Sequence, residues 1–215
     1  IFGKLVKALG FFPVSQGIEN GKEKLKEKID QGYSLVVFPE AERSYTNDIK
    51  RFHKGAFYLA EEFSLDILPI YIHGNSEVLP KGDFIIYDGS ITVKVGDRIS
   101  NDDLSFGTTY KERAKNINAG FRNEFAKLRN EIEDENYFKK KLFLSFLYKE
   151  TEVVTEVKQD FNKNKSVYFQ LNQYIAKDAT ILHIADDYGQ KDILLTLQQA
   201  GRKVFSFIKN EEKRQ

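Results

Sequence analysis

The run Ser34-Leu35-Val36-Val37-Phe38 constrains this chain more than any other feature. A half-exposed strand alternates apolar and polar side chains, because successive residues face opposite sides. An unbroken apolar run suits a strand buried on both faces, as in a parallel sheet. A second run of this kind, Asp66-Ile67-Leu68-Pro69-Ile70-Tyr71-Ile72, predicts a second buried strand. Between the two, residues 55–63 read as a helix. Before them, a Lys/Glu-rich helix over 18–31 ends at Gly32. Strands alternating with helices predict an α/β domain.

The rest of the chain extends this pattern. Residues 1–12 read as an amphipathic helix with Phe2, Leu5, Val6, Leu9 and Phe12 on one face, and Gly10–Val14 as a short strand-like piece limited by Pro13. Residues 83–88 and 90–95 predict a hairpin around Asp88-Gly89, and 108–134 a long charged helix. Residues 137–149 place three lysines ahead of a short apolar stretch. It falls well below the ~20 residues a spanning helix needs. It reads either as a packed linker helix or as a segment lying in a membrane interface. Residues 150–178 are polar and helical. From Thr180 the pattern becomes strand 181–184, turn 185–190, helix 191–200 and strand 204–208, the βαβ opening of a Rossmann-like unit.

Composition removes several function classes. Lys+Arg is 33 and Asp+Glu 32, a net charge of +1, so a general nucleic-acid binder gains no support. Cysteine is absent, which excludes disulfides, thiolate–zinc sites and a cysteine nucleophile. The three histidines, His53, His73 and His183, lie far apart, so no metal site is expected. Hydrophobic residues make up 41%, enough for a sizeable core. With no Met and a start in mid-pattern at Ile1-Phe2, the chain reads as a piece cut at both ends.

Chemistry concentrates after the first strand. Glu40, Arg43 and Ser44 fall at its C-terminal edge, where ligands bind in open α/β sheets. Arg43 offers a planar fork of donors suited to phosphate, and Ser44 adds a hydroxyl. Glu40 could accept from a substrate hydroxyl or hold Arg43. The spacing fits equally an Arg–Glu pair that only ties a loop.

Phe38-Pro39-Glu40-Ala41-Glu42-Arg43-Ser44 resembles the F-P-E-G-T-R-S motif of the glycerolipid acyltransferases of lysophosphatidate type. Phe52-His53-Lys54-Gly55-Ala56 is similar to that family's phenylalanine–lysine–glycine block. Leu68–Gly74 is similar to its later proline block, and Gly10–Val14 sits where its glycine-to-strand motif lies. The resemblance covers roughly residues 1–135. It implies acyl transfer from acyl-CoA or acyl carrier protein, as donor substrate and not a bound cofactor, to a lysophospholipid-like hydroxyl. It also implies that Glu40, Arg43 and Ser44 contact the phosphate-bearing acceptor, that Lys54 is a second cation, and that Pro69 shapes a pocket. The expected partners are the donor, the acceptor and a membrane surface, with no nucleic acid. By the same resemblance the expected place is the cytoplasmic face of a bacterial inner membrane, reached through an upstream region.

Departures from the family bear on this. Ala41-Glu42 stand for its Gly-Thr. Ala41 is a mild change if its φ is negative and a costly one if the turn needs positive φ. Glu42 sets a second carboxylate beside a phosphate site unless it points away. Ser15-Gln16 occupy the place of a frequent arginine. In the family's base motif, a histidine followed by four residues and an aspartate, the histidine would deprotonate the acceptor hydroxyl and the aspartate would orient the imidazole. By the family's spacing it falls before Ile1, so no catalytic residue is expected here. No such pair exists here: His73 has Glu77, and His183 has Asp187, four positions on, but in other blocks. These departures keep open a second reading, a non-catalytic lipid-binding or scaffolding domain.

Thr180–Gly189 resembles the first motif of class I methyltransferases, with His183, Ala185 and Asp187 in place of an acid and two glycines. The resemblance implies a degenerate domain without cofactor. The expected layout is therefore a partial acyltransferase-like αβ domain at 1–136, linker helices at 137–165, and the truncated opening of a Rossmann-like methyltransferase domain at 166–215.

Overall fold

The computed structural model describes residues 21–44, 48–82, 84–210 and 213. The helix expected at 1–12 and the strand-like piece at 10–14 lie outside them. The described chain divides into two compact units. Residues up to 43, with 50–71 and 94–121, form the first; residues 44–49, 72–93 and those from 122 onward form the second.

In the first unit, α1 (Lys22–Asp30) buries Leu25 and stops at Gly32, whose φ of +88° only glycine adopts without strain. The Tyr33 N–H donates back to the Lys28 carbonyl at 3.0 Å and the Gly32 N–H to that of Ile29 at 2.8 Å, closing the helix end. Helix α2 (Gly55–Glu62) buries Phe57 and Leu59. Both helices lie where the sequence predicts them. The core adds Phe52, Tyr71, Ala114 and Ile117. The Phe121 ring meets Phe52 edge-on at 5.2 Å and Tyr71 at 4.2 Å. Burying each such ring contributes about 1.5–3 kcal/mol.

The strand expected at Ser34–Phe38 does not form. The segment joins no strand ladder among the described residues, and Val36 and Phe38 are 79% and 65% exposed. Apolar content makes a strand possible, but a neighbouring backbone makes it real. The second expected strand does form, shorter and one-sided. Strand β1 (Ile70–His73) pairs with β2 (Thr92–Val95), and the antiparallel pairing continues through Pro69–Gly96 and Ile67–Ile99. Tyr71 and His73 are buried, while Ile70 and Ile72 are 45% and 40% exposed, so only one face is covered.

The hairpin around Asp88-Gly89 is also absent. Residues 84–87 form no strand, and the partner of β2 is β1. A two-residue hairpin turn of the I′ type needs positive φ at both central residues. Neither Asp88 nor Gly89 has it. Asp88 instead accepts from the Lys140 ammonium through its carbonyl at 2.8 Å and its carboxylate at 2.9 Å.

The long helix α4 (Tyr110–Ile132), which follows the short helix α3 (Asn75–Val78) and a 3-10 turn at Leu104–Phe106, matches expectation. Early in α4 the buried Arg113 guanidinium donates to the carbonyls of Ser100, Asn101 and Asp103 and fixes the preceding loop.

In the second unit, α5 (Lys139–Leu144), α6 (Thr151–Tyr174) and α7 (Gln190–Gln198) pack together. On α6, Val154, Val157, Phe161 and Tyr168 recur at helical spacing and make one apolar stripe against Phe138, Leu142, Phe146 and Leu194. Strands β3 (Thr180–Ala185) and β4 (Lys203–Ile208) run parallel, with α7 as the crossover, so the expected βαβ unit is present. Its outer face carries Leu182, Ile184, Phe205 and Phe207, all more than half exposed. Arg202 is buried. It donates to the carbonyls of Asn172, Ile175 and Ala176 at the end of α6 and to that of Leu195 in α7. Burial depresses its guanidinium pKa, and carbonyl dipoles at two helix ends supply the missing counter-charge.

A second buried knot joins His73, Glu133, Arg129 and Asp48. His73 Nε2 lies 3.0 Å from Glu133 Oε1, and Arg129 donates to both Glu133 oxygens and to Asp48. No helix among the described residues is long and apolar enough to cross a membrane.

Candidate functional site

Four ties shape the loop from Pro39 to Lys54. The Ala41 N–H donates to the Phe38 carbonyl at 3.0 Å, making a tight turn. The His53 N–H donates to the Pro39 carbonyl at 2.7 Å and draws the two ends of the loop together. Glu40 Oε2 accepts from the Lys50 N–H at 2.7 Å. The Lys50 carbonyl accepts from the buried side chain of Asn118 at 2.9 Å. Phe52, 6% exposed, then anchors the returning arm of the loop in the core.

Ala41 has φ of +60°, so the turn does require the left-handed region. An L-residue there carries about 1–2 kcal/mol of strain. The Ala41 departure is therefore the costly one of the two alternatives. Glu42 proves less disruptive than its charge suggests, because the Lys50 ammonium holds its carboxylate at 2.6 Å. Its negative charge is answered inside the loop.

The structure sorts the expected site residues into different roles. Glu40 is half-buried and its Oε2 closes the loop through a backbone N–H. Arg43 lies exposed on the same loop. Lys54 is exposed at the N-terminus of α2, one residue beyond the bond that closes the loop. That is a favourable place for an anion, since helix N-termini present free N–H groups and a positive dipole end. Ser44 is half-buried and belongs to the second unit. Pro69 is buried. A Cβ on Gly96 would meet the Pro69 Cβ at 3.3 Å and the Tyr71 ring at 3.0 Å, so Pro69 packs closely in the first unit.

Lys50 and Asn118 went unrecognised in the sequence. Lys50 sits in an unpatterned polar loop, and Asn118 reaches it from 68 positions away. The two histidines with an acid four residues on use other partners. His73 is 2% exposed and pairs with Glu133, while Glu77 pairs with Lys141 at 2.6 Å. His183 Nδ1 lies 2.6 Å from Asp192, not Asp187. Among the described residues, no three His, Asp or Glu side chains cluster as a metal site.

Residues 1–73 match the acyltransferase family model. The match contains the whole loop and all five expected site residues. Over 89 residues the chain is 33% identical to a 1-acyl-sn-glycerol-3-phosphate acyltransferase of Cocos nucifera, covering 41% of this chain and 29% of that protein. A protein of the same name from Saccharomyces cerevisiae is 30% identical over 94 residues, covering 43% and 29%. One from Limnanthes douglasii is 34% identical over 86 residues, covering 40% and 31%. The chain thus spans about three-tenths of the length of these relatives. Among solved structures, the crystal structure of the 1-acyl-sn-glycerophosphate acyltransferase PlsC from Thermotoga maritima aligns with a TM-score of 0.45 and 23% identity, over 50% of this chain and 43% of that one.

Proposed function

We propose that the protein carrying this sequence transfers a fatty acyl group from acyl-CoA or acyl carrier protein to a lysophosphatidate-like acceptor. The observation that carries the reading is the tied loop at 39–54, which turns the Glu40 and Glu42 carboxylates to the Lys50 backbone and side chain and leaves Arg43 and Lys54 exposed. It lies inside the stretch that matches the acyltransferase model and relatives named for that reaction. In this reading Arg43 binds the acceptor phosphate through its fork of donors, with Lys54 and the first N–H groups of α2 adding positive potential. Glu40 positions the loop, and Pro69 supports it from the core. Ser44 follows Arg43 and supplies a hydroxyl donor. The general base belongs to a part of the protein outside these motifs.

A non-catalytic lipid-binding role is disfavoured, since Lys50 answers the Glu42 charge and the similar proteins named above are acyltransferases. Acyl transfer to 1-acyl-glycerol-3-phosphate, followed in the protein carrying this sequence, tests the proposal. Arg43→Ala should raise the acceptor KM at least tenfold, with kcat changed far less, because a phosphate contact acts in ground and transition states alike. Unaltered kinetics would remove Arg43 from the site.

We further propose that the protein acts at a membrane surface, and that the βαβ unit of the second compact unit is a degenerate methyltransferase-like segment without cofactor. In support of the latter, Asp187 fills its own turn. Its Oδ1 accepts from the Gly189 N–H at 3.0 Å and its Oδ2 lies 3.4 Å from the Lys191 ammonium. Micromolar binding of a methionine-derived methyl donor to this protein by calorimetry would overturn that assignment.

A further inference from the structure

Residues 137–149 join a basic lead to an apolar run, and the loop at 39–54 uses none of them. Within the second unit, this segment and the first turns of α6 form an open cleft of about 500 Å3. That lies within the ~300–1,000 Å3 range of small-molecule sites. Phe143, Leu147 and Val154 supply apolar lining, and Lys139, Lys140 and Lys158 supply the charge. No carboxylate lines it. Lys140 is engaged by Asp88. Lys139 and Lys158 form no ion pair with a described residue, and each ammonium lies 5.8 Å from the centroid of the same Phe143 ring. Two cations thus lie near one aromatic ring, neither in an ion pair with a described residue, and an added anion would be favoured there.

The surrounding surface is not basic. Over residues 134–158, five lysines (139, 140, 141, 149 and 158) are matched by five acids (134, 135, 150, 152 and 156). The positive excess is confined to the cleft. A planar anionic bilayer would meet both signs equally, whereas one small ligand would meet only the cations. We propose that this cleft binds a single-chain lipid with an anionic head. The alkyl chain lies along Phe143, Leu147 and Val154, and the head sits between Lys139 and Lys158. The site lies outside the stretch that matches the acyltransferase model, and the proposal stands whether or not that reaction is confirmed.

Calorimetric titration of the chain with monomeric dodecanoate tests this. The expected result is one site per chain, with decanoate about tenfold weaker for two fewer buried methylenes. Dodecyltrimethylammonium, with the same chain and opposite head, should bind at least tenfold more weakly than dodecanoate. The double variant Lys139→Gln/Lys158→Gln should lose at least tenfold in dodecanoate affinity, and Val154→Trp should block the cleft. If the double variant melts below the parent, salt decides on the unaltered chain. Raising NaCl from about 50 to 500 mM should weaken dodecanoate at least fivefold. Equal affinity for the two head charges, or insensitivity to both the lysines and salt, would overturn the proposal. So would binding to phosphatidylglycerol vesicles without binding of monomer, which would make this a bilayer-docking surface.

Discussion

The loop at 39–54 and the turn at 185–192 are built from similar ingredients and put them to opposite uses. Each leads into a helix, each has one positive-φ position among its described residues, and each sets carboxylates beside a lysine. In the first, Ala41 occupies the left-handed position under strain, while in the second Gly189 does so freely at φ +77°. In the first, Glu40 and Glu42 turn back onto the Lys50 backbone and side chain, and Arg43 and Lys54 stay exposed. In the second, Asp187 and Asp192 are buried among Gly189, Lys191, His183 and Ser206. Motif chemistry thus depends less on which charges a turn contains than on which of them the fold leaves facing water.

Perturbing the two regions should sharpen this contrast. The largest effect is expected beneath the second turn. Phe161→Ala, at a site 1% exposed and edge-on to Phe143 at 5.5 Å, should destabilise by about 3–5 kcal/mol in urea denaturation. Next comes Asp192→Ala, which strips a hydrogen bond from Ser206 and a neighbour from His183. It should lower stability by about 2–3 kcal/mol. A loss under 0.5 kcal/mol would show that the second turn's acids are not spent on structure.

Acid should separate the regions further through Glu133. Burial alone would raise its carboxyl, but hydrogen bonds with His73 and Arg129, with the Arg129 charge, hold it below the ordinary range. A carboxyl lowered in the folded state contributes stability fully above its unfolded pKa, about 4.3, and loses it as pH falls through the folded value. Melting temperature should therefore fall more steeply below about pH 4.5 in the parent than in Glu133→Gln. The smallest change belongs to the first loop. Ala41→Gly should gain about 1 kcal/mol by releasing left-handed strain, after the entropy glycine gives up. Destabilisation instead would mean that the turn tolerates Ala41 and relaxes elsewhere.

How far the sequence predicts this architecture depends on the range of the forces involved. Helices α1, α2 and α4 and the βαβ unit were legible because periodicity and glycine stops act within a few residues. The strand at 34–38 was not, because Val36 and Phe38 become a strand only beside another backbone, and none of the described residues supplies one. The hairpin at 83–95 failed for a similar reason, since β1 competes for β2 from more than fifteen residues away. At the site, residue types pointed to Arg43 and Lys54. The same types could not reveal that Glu40 holds a backbone N–H, or that Asn118 secures the loop from α4.

Arg202 carries a consequence of another kind. It is fixed to four carbonyls immediately before β4 begins, and the Lys203 N–H then donates to the Ala179 carbonyl at 3.0 Å. The first rung of the parallel ladder, Thr180 opposite Lys203, is thereby set from outside the sheet. A slip of one residue would exchange Phe205 and Phe207 for Val204 and Ser206 on the outer face. Hydrophobic patterning discriminates poorly here, since apolar side chains occupy both faces of β4. The guanidinium acts as the origin from which the strand is counted, a task that the three donors of a lysine could not fill.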